Sequence, residues 1–168
     1  NAGADIFVHT YNGMSGLHHR EPGMVGAAMT THGTYAEAIC DGHHLNPIAV
    51  RALVNAKGYD HTVLITDCMR AGGMPNGQYK LGDFPVVVEG GTARLMDESH
   101  SLAGSILRLF EGVKNVFDWG IVSAEEAVRM ASENPARSCG IDDVCGFIRP
   151  GYDADFIVIT KNLQLEET

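Results

Sequence analysis

Short apolar runs that close in polar residues alternate along this chain with stretches of helical periodicity. The segment "ADIFVH" (4–9) reads as a buried parallel strand with His9 at its tip. A glycine-rich loop follows, then a weakly helical "PGMVGAAMTTHG" and a second apolar run, "AEAICDGHH" (36–44). In "NPIAVRALVNAKG", Asn46 is placed to cap a helix, Pro47 to open it and Gly58 to stop it, with Ile48, Ala52, Leu53 and Ala56 as its apolar positions. "HTVLITD" (61–67) is a third apolar strand, and it ends in Asp67.

Beyond Asp67 the pattern changes. "MRAGGMPNGQYKLGDF" is turn-rich, and "PVVVEGGTARLM" predicts a hairpin turning at Gly90 and Gly91, so residues near 78–97 form an insertion. Ile106, Leu109, Phe110, Val113 and Phe117 share one helical face. A further helix is expected from Ser123, with Glu126 completing a capping box and Asn134 and Pro135 ending it. The tail "GFIRPGYDADFIVIT" reads as a turn and a strand, separated by two helices from the earlier strand-and-loop units.

These units deliver His9, then Asp41 with His43 and His44, then Asp67, each at the C-terminal end of a strand. In a β/α barrel or an open α/β sheet those ends share one rim, so the residues can converge. Taken singly, each has two readings. His9 suits a hydrogen-bonded structural histidine or a neutral imidazole ligand for zinc or a similar ion. Asp67 suits a turn cap or a general base beside an activated water. His43 and His44 point to opposite faces if the segment is extended, which leaves one of them structural. Arg20 suits a solvated loop or a phosphate clasp, with the backbone amides of Asn12 and Gly13 as further donors. His18 and His19 read as loop surface.

Composition narrows the classes. The 168 residues are 45% hydrophobic, enough for one domain with a core, and the formal net charge of -9 argues against a polynucleotide partner. No apolar run approaches the roughly 18 residues of a membrane span, and no secretion signal opens the sequence, so cytoplasm is the expected setting. Cys40, Cys68, Cys139 and Cys145 form no CxxC pair and are expected to be reduced and mostly buried. The opening "NAGADIF" has no initiator methionine, which is expected of a processed, cleaved or partly represented chain.

In order, "VHTYNGM", "HHREPG", "CDGHHLNP", "LITDCMRAGG", "YKLG", "LAGS", "MASENPARSCG" and "GFIRPGYDADFIVI" resemble the N-acetylglucosamine-6-phosphate deacetylase family of the amidohydrolase superfamily, over essentially the whole chain. The resemblance implies an α/β fold. Residues 1–147 would be the C-terminal part of a metal-dependent (β/α)8 TIM-type barrel, about strands six to eight. Residues 148–168 would supply a strand of a small β-sandwich. It implies hydrolysis of the acetamide of N-acetylglucosamine 6-phosphate, giving glucosamine 6-phosphate and acetate, by a water activated by one or two divalent ions, zinc or similar. His9 would be a metal ligand, Asp67 the catalytic aspartate, and His44 the histidine that contacts substrate and polarises the scissile carbonyl. Asn12, Gly13 and Arg20 would contact the sugar phosphate, the arginine reaching into the partner of a homodimer. Asp41, Gly42, His43 and His44, together with Leu102, Ala103 and Gly104, would be further substrate-binding positions.

The chain departs from the family pattern at Val8 and Gly13, where threonine and alanine are usual. The family's metal-binding glutamate and other metal histidine belong to earlier strands, five of which would be missing here, so these residues alone are expected to be inactive. Rival readings are another amidohydrolase, such as a different sugar amidase or a dihydroorotase-like enzyme, and a non-catalytic interaction or assembly remnant.

Overall fold

The computed structural model describes residues 3–167. Strands β1 (Ile6–Phe7), β2 (Tyr35–Ile39) and β3 (Thr62–Ile65) form a parallel sheet in the order β1-β2-β3. The register sets Phe7 beside Ala36 and Ala36 beside Thr62. Each crossover is helical: α1 (Gly23–Thr30) joins β1 to β2, and α2 (Pro47–Lys57) joins β2 to β3. The Asn46 side chain accepts the Ile48 amide at 2.9 Å, and Gly58 at φ 86° ends α2, as its sequence predicts.

The sheet has two distinct faces because side chains alternate along a strand. Ala36, Ala38, Cys40 and Leu64 face the helices and pack with Val50 and Leu53 of α2. The same core takes Val113 and Val116 of α3 (Leu109–Asp118) and Ala127 and Met130 of α4 (Ala124–Ala131). On the opposite face lie Glu37, Ile39 and Val63. β1 is shorter than "ADIFVH" suggested, since the chain turns at Val8.

The insertion is larger than a hairpin. Strand β4 (Gly77–Leu81) precedes β5 (Phe84–Glu89) and β6 (Thr92–Leu95), giving an antiparallel three-stranded sheet that turns at Gly90 and Gly91. Its core is Val86, Val88 and Ala93 against Met69, Ala71 and Ala103.

Four other expectations need correction. Of the apolar positions expected on α2 only Leu53 is buried; Ile48, Ala52 and Ala56 are exposed, and Val50 and Val54 complete the buried face. Leu109 lies at the exposed start of α3 and Ile106 precedes the helix, so its buried face is Gly112, Val113 and Val116, with Phe110 and Phe117 partly buried beside it. The Ser123 and Glu126 capping box is formed, but Asn134 and Pro135 sit in the first turn of a short α5 (Glu133–Ser138). A proline there has no helical N–H to lose. Buried Asn134 instead donates to the Tyr59 and Thr62 carbonyls at 2.6 and 2.8 Å, tying α5 to the start of β3. Of the four free cysteines only Cys40 is fully buried; Cys68 and Cys139 are exposed, being on loops outside both cores.

The tail forms a two-stranded sheet of β7 (Val158–Ile159) and β8 (Leu165–Glu167), and residues 153–157 before it are irregular and exposed. Among the described residues no helix is long and apolar enough to cross a membrane.

Candidate active site at the strand ends

His9 follows β1 in a left-handed conformation, φ 32°, which an L-residue adopts only when its surroundings hold it there. Its backbone N–H donates to Oε2 of Glu37 at 3.0 Å, and the next amide, of Thr10, donates to the Glu37 carbonyl at 2.9 Å. The ring is held as well: Nδ1 lies 2.9 Å from the Asn12 carbonyl. A carbonyl only accepts, so Nδ1 carries the proton and Nε2 presents its lone pair. That is the tautomer a metal-ligating histidine needs, oriented by a backbone acceptor behind it. With Nδ1 held by the Asn12 carbonyl, the Nε2 lone pair fits one donor to a divalent ion; among the described residues no three His, Cys, Asp or Glu side chains gather as a metal cage.

At the end of β2, Asp41 organises the next two residues. Its Oδ1 accepts the amides of His43 and His44 at 2.8 and 2.7 Å, and its Oδ2 accepts Nδ1–H of His44 at 2.6 Å. The two side chains of the Asp41–His44 pair are at least nine-tenths buried. Burial acts to raise the Asp41 pKa, but the hydrogen bonds from His44 and the His43 amide outweigh it and hold the carboxyl below its ordinary value. Burial, with Asp41 beside it, pushes the Cys40 thiol up to about 12, so it stays protonated. His43 turns outward to solvent, with its Nε2 3.4 Å from where a Cβ on Gly91 would lie. The adjacent histidines part not by the alternation of an extended segment but because Gly42, at φ 78°, bends the chain ahead of them.

Asp67 follows β3, exposed and also left-handed, φ 48°. The segment after β6 holds it. Ser105 donates its amide to the Asp67 carbonyl at 2.8 Å and accepts the Met69 amide at 2.9 Å. Its buried hydroxyl donates to the Thr66 carbonyl and accepts the Leu107 amide. Gly104 permits this approach, because a Cβ there would sit 3.1 Å from the Asp67 carbonyl oxygen. Leu102, Ala103 and Gly104, far from Asp67 in sequence, are thus brought onto the loop that carries it.

The fold sets His9, the Asp41–His44 pair and Asp67 along one C-terminal edge of three adjacent strands. Two strand spacings, about 10 Å, separate β1 from β3. Asn12 and Gly13 belong to the turn that carries His9. Arg20 is exposed on the following loop, donating Nη1–H to His19 Nε2 at 2.8 Å, and makes no hydrogen bond to the strand-end residues. His18 and His19 are exposed with rings 4.2 Å apart. Glu37 and Ser105 escaped the sequence reading. A carboxylate inside the apolar run "YAEAI" was the available signal for the first; nothing local marked the second.

A model of the amidohydrolase family matches residues 25–167, and the chain belongs to that family. It is 44% identical over 167 residues to the N-acetylgalactosamine-6-phosphate deacetylase of Escherichia coli O157:H7, covering 99% of this chain and 44% of that protein. It is 45% identical over 167 residues to the N-acetylglucosamine-6-phosphate deacetylase of Vibrio furnissii, covering 99% of this chain and 41% of that protein. The crystal structure of N-acetylglucosamine-6-phosphate deacetylase from Thermotoga maritima superposes with a TM-score of 0.89 at 36% identity, over 97% of this chain and 44% of that one. The chain therefore spans less than half the length of these relatives, and the resemblance read from its motifs holds along nearly its whole length.

Proposed function

We propose that this chain contributes the sugar-binding and proton-transfer half of an N-acetylhexosamine-6-phosphate deacetylase. In this reading β1, β2 and β3 serve as the sixth, seventh and eighth strands of a (β/α)8 barrel, and β7 with β8 joins a small β-sandwich. The observation that carries it is the parallel order β1-β2-β3, which lines up His9, Asp41–His44 and Asp67 on one rim.

A divalent ion bound with His9 as one ligand would polarise the acetamide carbonyl and acidify the attacking water. The remaining steps belong to this chain's side chains. Asp67 takes the proton as the water oxygen bonds to the carbonyl carbon. His44, its ring oriented by the Asp41 carboxylate at Nδ1, stabilises the oxyanion that develops. As the C–N bond breaks, Asp67 returns its proton to the departing amine, leaving acetate and the hexosamine 6-phosphate. Arg20 and the Gly13 amide hold the phosphate; the Asn12 amide expected beside them already donates to the His9 carbonyl at 2.9 Å, which leaves Asn12 to contact the sugar through its side chain. The exposed Arg20, whose hydrogen-bond partner is its neighbour His19, is free to reach a second copy in a homodimer.

Two epimers fit the relatives' names, N-acetylglucosamine 6-phosphate and N-acetylgalactosamine 6-phosphate. Acetate release by the protein as its gene encodes it, measured on both and on their unphosphorylated forms, tests the proposal. The larger kcat/KM on one phosphorylated sugar identifies the substrate. In Arg20→Ala the KM for that sugar phosphate rises at least tenfold, whereas unphosphorylated sugar is turned over as before. Equal turnover with and without phosphate would favour a different amidohydrolase.

A further inference from the structure

We propose that Glu37 is a positioning residue for His9, its carboxylate holding the left-handed turn that aims the imidazole into the site. The inference rests on the reading of His9 as a metal ligand.

Glu37 sits in the middle of β2 between Ala36 and Ala38, both fully buried against the helices. Strand alternation puts its side chain on the other face of the sheet, the face that bears Ile39 and Val63. A half-buried carboxylate in the middle of an apolar strand is costly unless a donor satisfies it. Its donor is the His9 N–H at 3.0 Å, while the Glu37 main chain accepts from Thr10 at 2.9 Å. One residue of β2 thus holds both amides of the turn that follows β1.

At φ 32°, His9 is displaced from the extended geometry that would continue β1, and its amide can no longer join the sheet ladder. Without the carboxylate that amide has no acceptor, and the turn loses the contact opposing its return to extended backbone. The Asn12 carbonyl would still bond Nδ1, so the tautomer would survive while the direction of the ring would not. The fault would appear as weakened metal binding, since groups that orient a ligand typically contribute about 10- to 100-fold to metal affinity.

The test is zinc affinity of the protein as its gene encodes it, measured by competition with a chromophoric chelator, beside acetate release with and without excess zinc. E37A is expected to weaken zinc binding by about 10- to 100-fold, with excess zinc restoring most of the lost turnover. E37Q keeps an oxygen acceptor at the same reach and is expected to stay within about threefold of the original affinity, as a hydrogen bond preserved in kind requires. If E37A does not fold, E37M keeps the side chain's length without its strong acceptor and carries the same expectation. Unchanged zinc affinity in E37A or E37M overturns the proposal, as does an E37Q loss equal to that of E37A, which would make charge rather than the hydrogen bond the cause. Zinc affinity unchanged in H9A overturns it too, by removing His9 from the ligands. Weakened zinc binding in E37A in a protein that releases acetate from neither sugar phosphate would uphold Glu37 and sink the deacetylase reading.

Discussion

The ends of β1 and β3 adopt the same unusual geometry and hold it by different means. His9 and Asp67 both lie just beyond a parallel strand with positive φ, 32° and 48°. At His9 the support is a side chain from the adjacent strand, the Glu37 carboxylate. At Asp67 it is the backbone and hydroxyl of Ser105, from a segment that arrives only after the whole β4–β6 insertion. The first device orients a group that a metal ion would itself help hold in place. The second fixes a carboxylate that exchanges protons in the proposed reaction and whose side chain has no hydrogen-bond partner among the described residues.

The contrast predicts separable failures. The largest is expected at Asp67: Asp67→Asn should lower kcat by about 10²- to 10⁴-fold, the scale of general acid–base catalysis, while zinc affinity stays near its original value. A parallel loss of zinc would make Asp67 a ligand first and break the comparison. Next comes Ser105→Ala, which leaves the Thr66 carbonyl and Leu107 amide without their partner in a buried setting, at a cost of about 1–3 kcal/mol in urea unfolding. It should lower kcat more than it raises KM, and zinc affinity should again be spared, the opposite of the Glu37 variants. A kcat unchanged in a destabilised Ser105→Ala would reduce Ser105 to a structural brace.

The smallest effect is expected from acid. The Asp41 carboxyl is held below its ordinary pKa in the folded chain, so its contribution is complete above the ordinary carboxylate value and is lost as pH falls through the folded one. Thermal melting followed from about pH 5 to pH 2 should therefore show the advantage of the original protein over Asp41→Asn shrinking toward acid. An advantage constant across that range would place the stabilisation in the geometry of the turn and not in the charge.

How much was legible depended on how local the cause was. The limits of α2 follow from Asn46, Pro47 and Gly58, residues that act on their own neighbours, and the capping box at Ser123 is equally self-contained. Strand ends bearing His9, Asp41 and Asp67 could be read because an apolar run stopping at a polar residue is a feature of a few adjacent positions. β4 was missed because the alternation of Tyr79 and Leu81 with Gln78 and Lys80 is short and lies among glycines and other turn residues; its pairing with β5, from Gly77 opposite Val88 to Leu81 opposite Phe84, makes it a strand. Asn134 was misread for a similar reason. Next to a proline it looks like a helix stop, whereas its side chain is committed to carbonyls more than seventy positions earlier.

The amino-acid order by itself thus determined the alternation of strands and helices, the family, and which polar side chains stand at the strand ends, because periodicity, caps and motifs are properties of neighbouring residues. Tertiary structure alone decided how those side chains are held. The Glu37 carboxylate reaches an amide 28 positions away, and the Ser105 hydroxyl a carbonyl 39 positions away. A hydrogen bond between strands depends on register and direction in space, and neither is written in the spacing of the residues that make it.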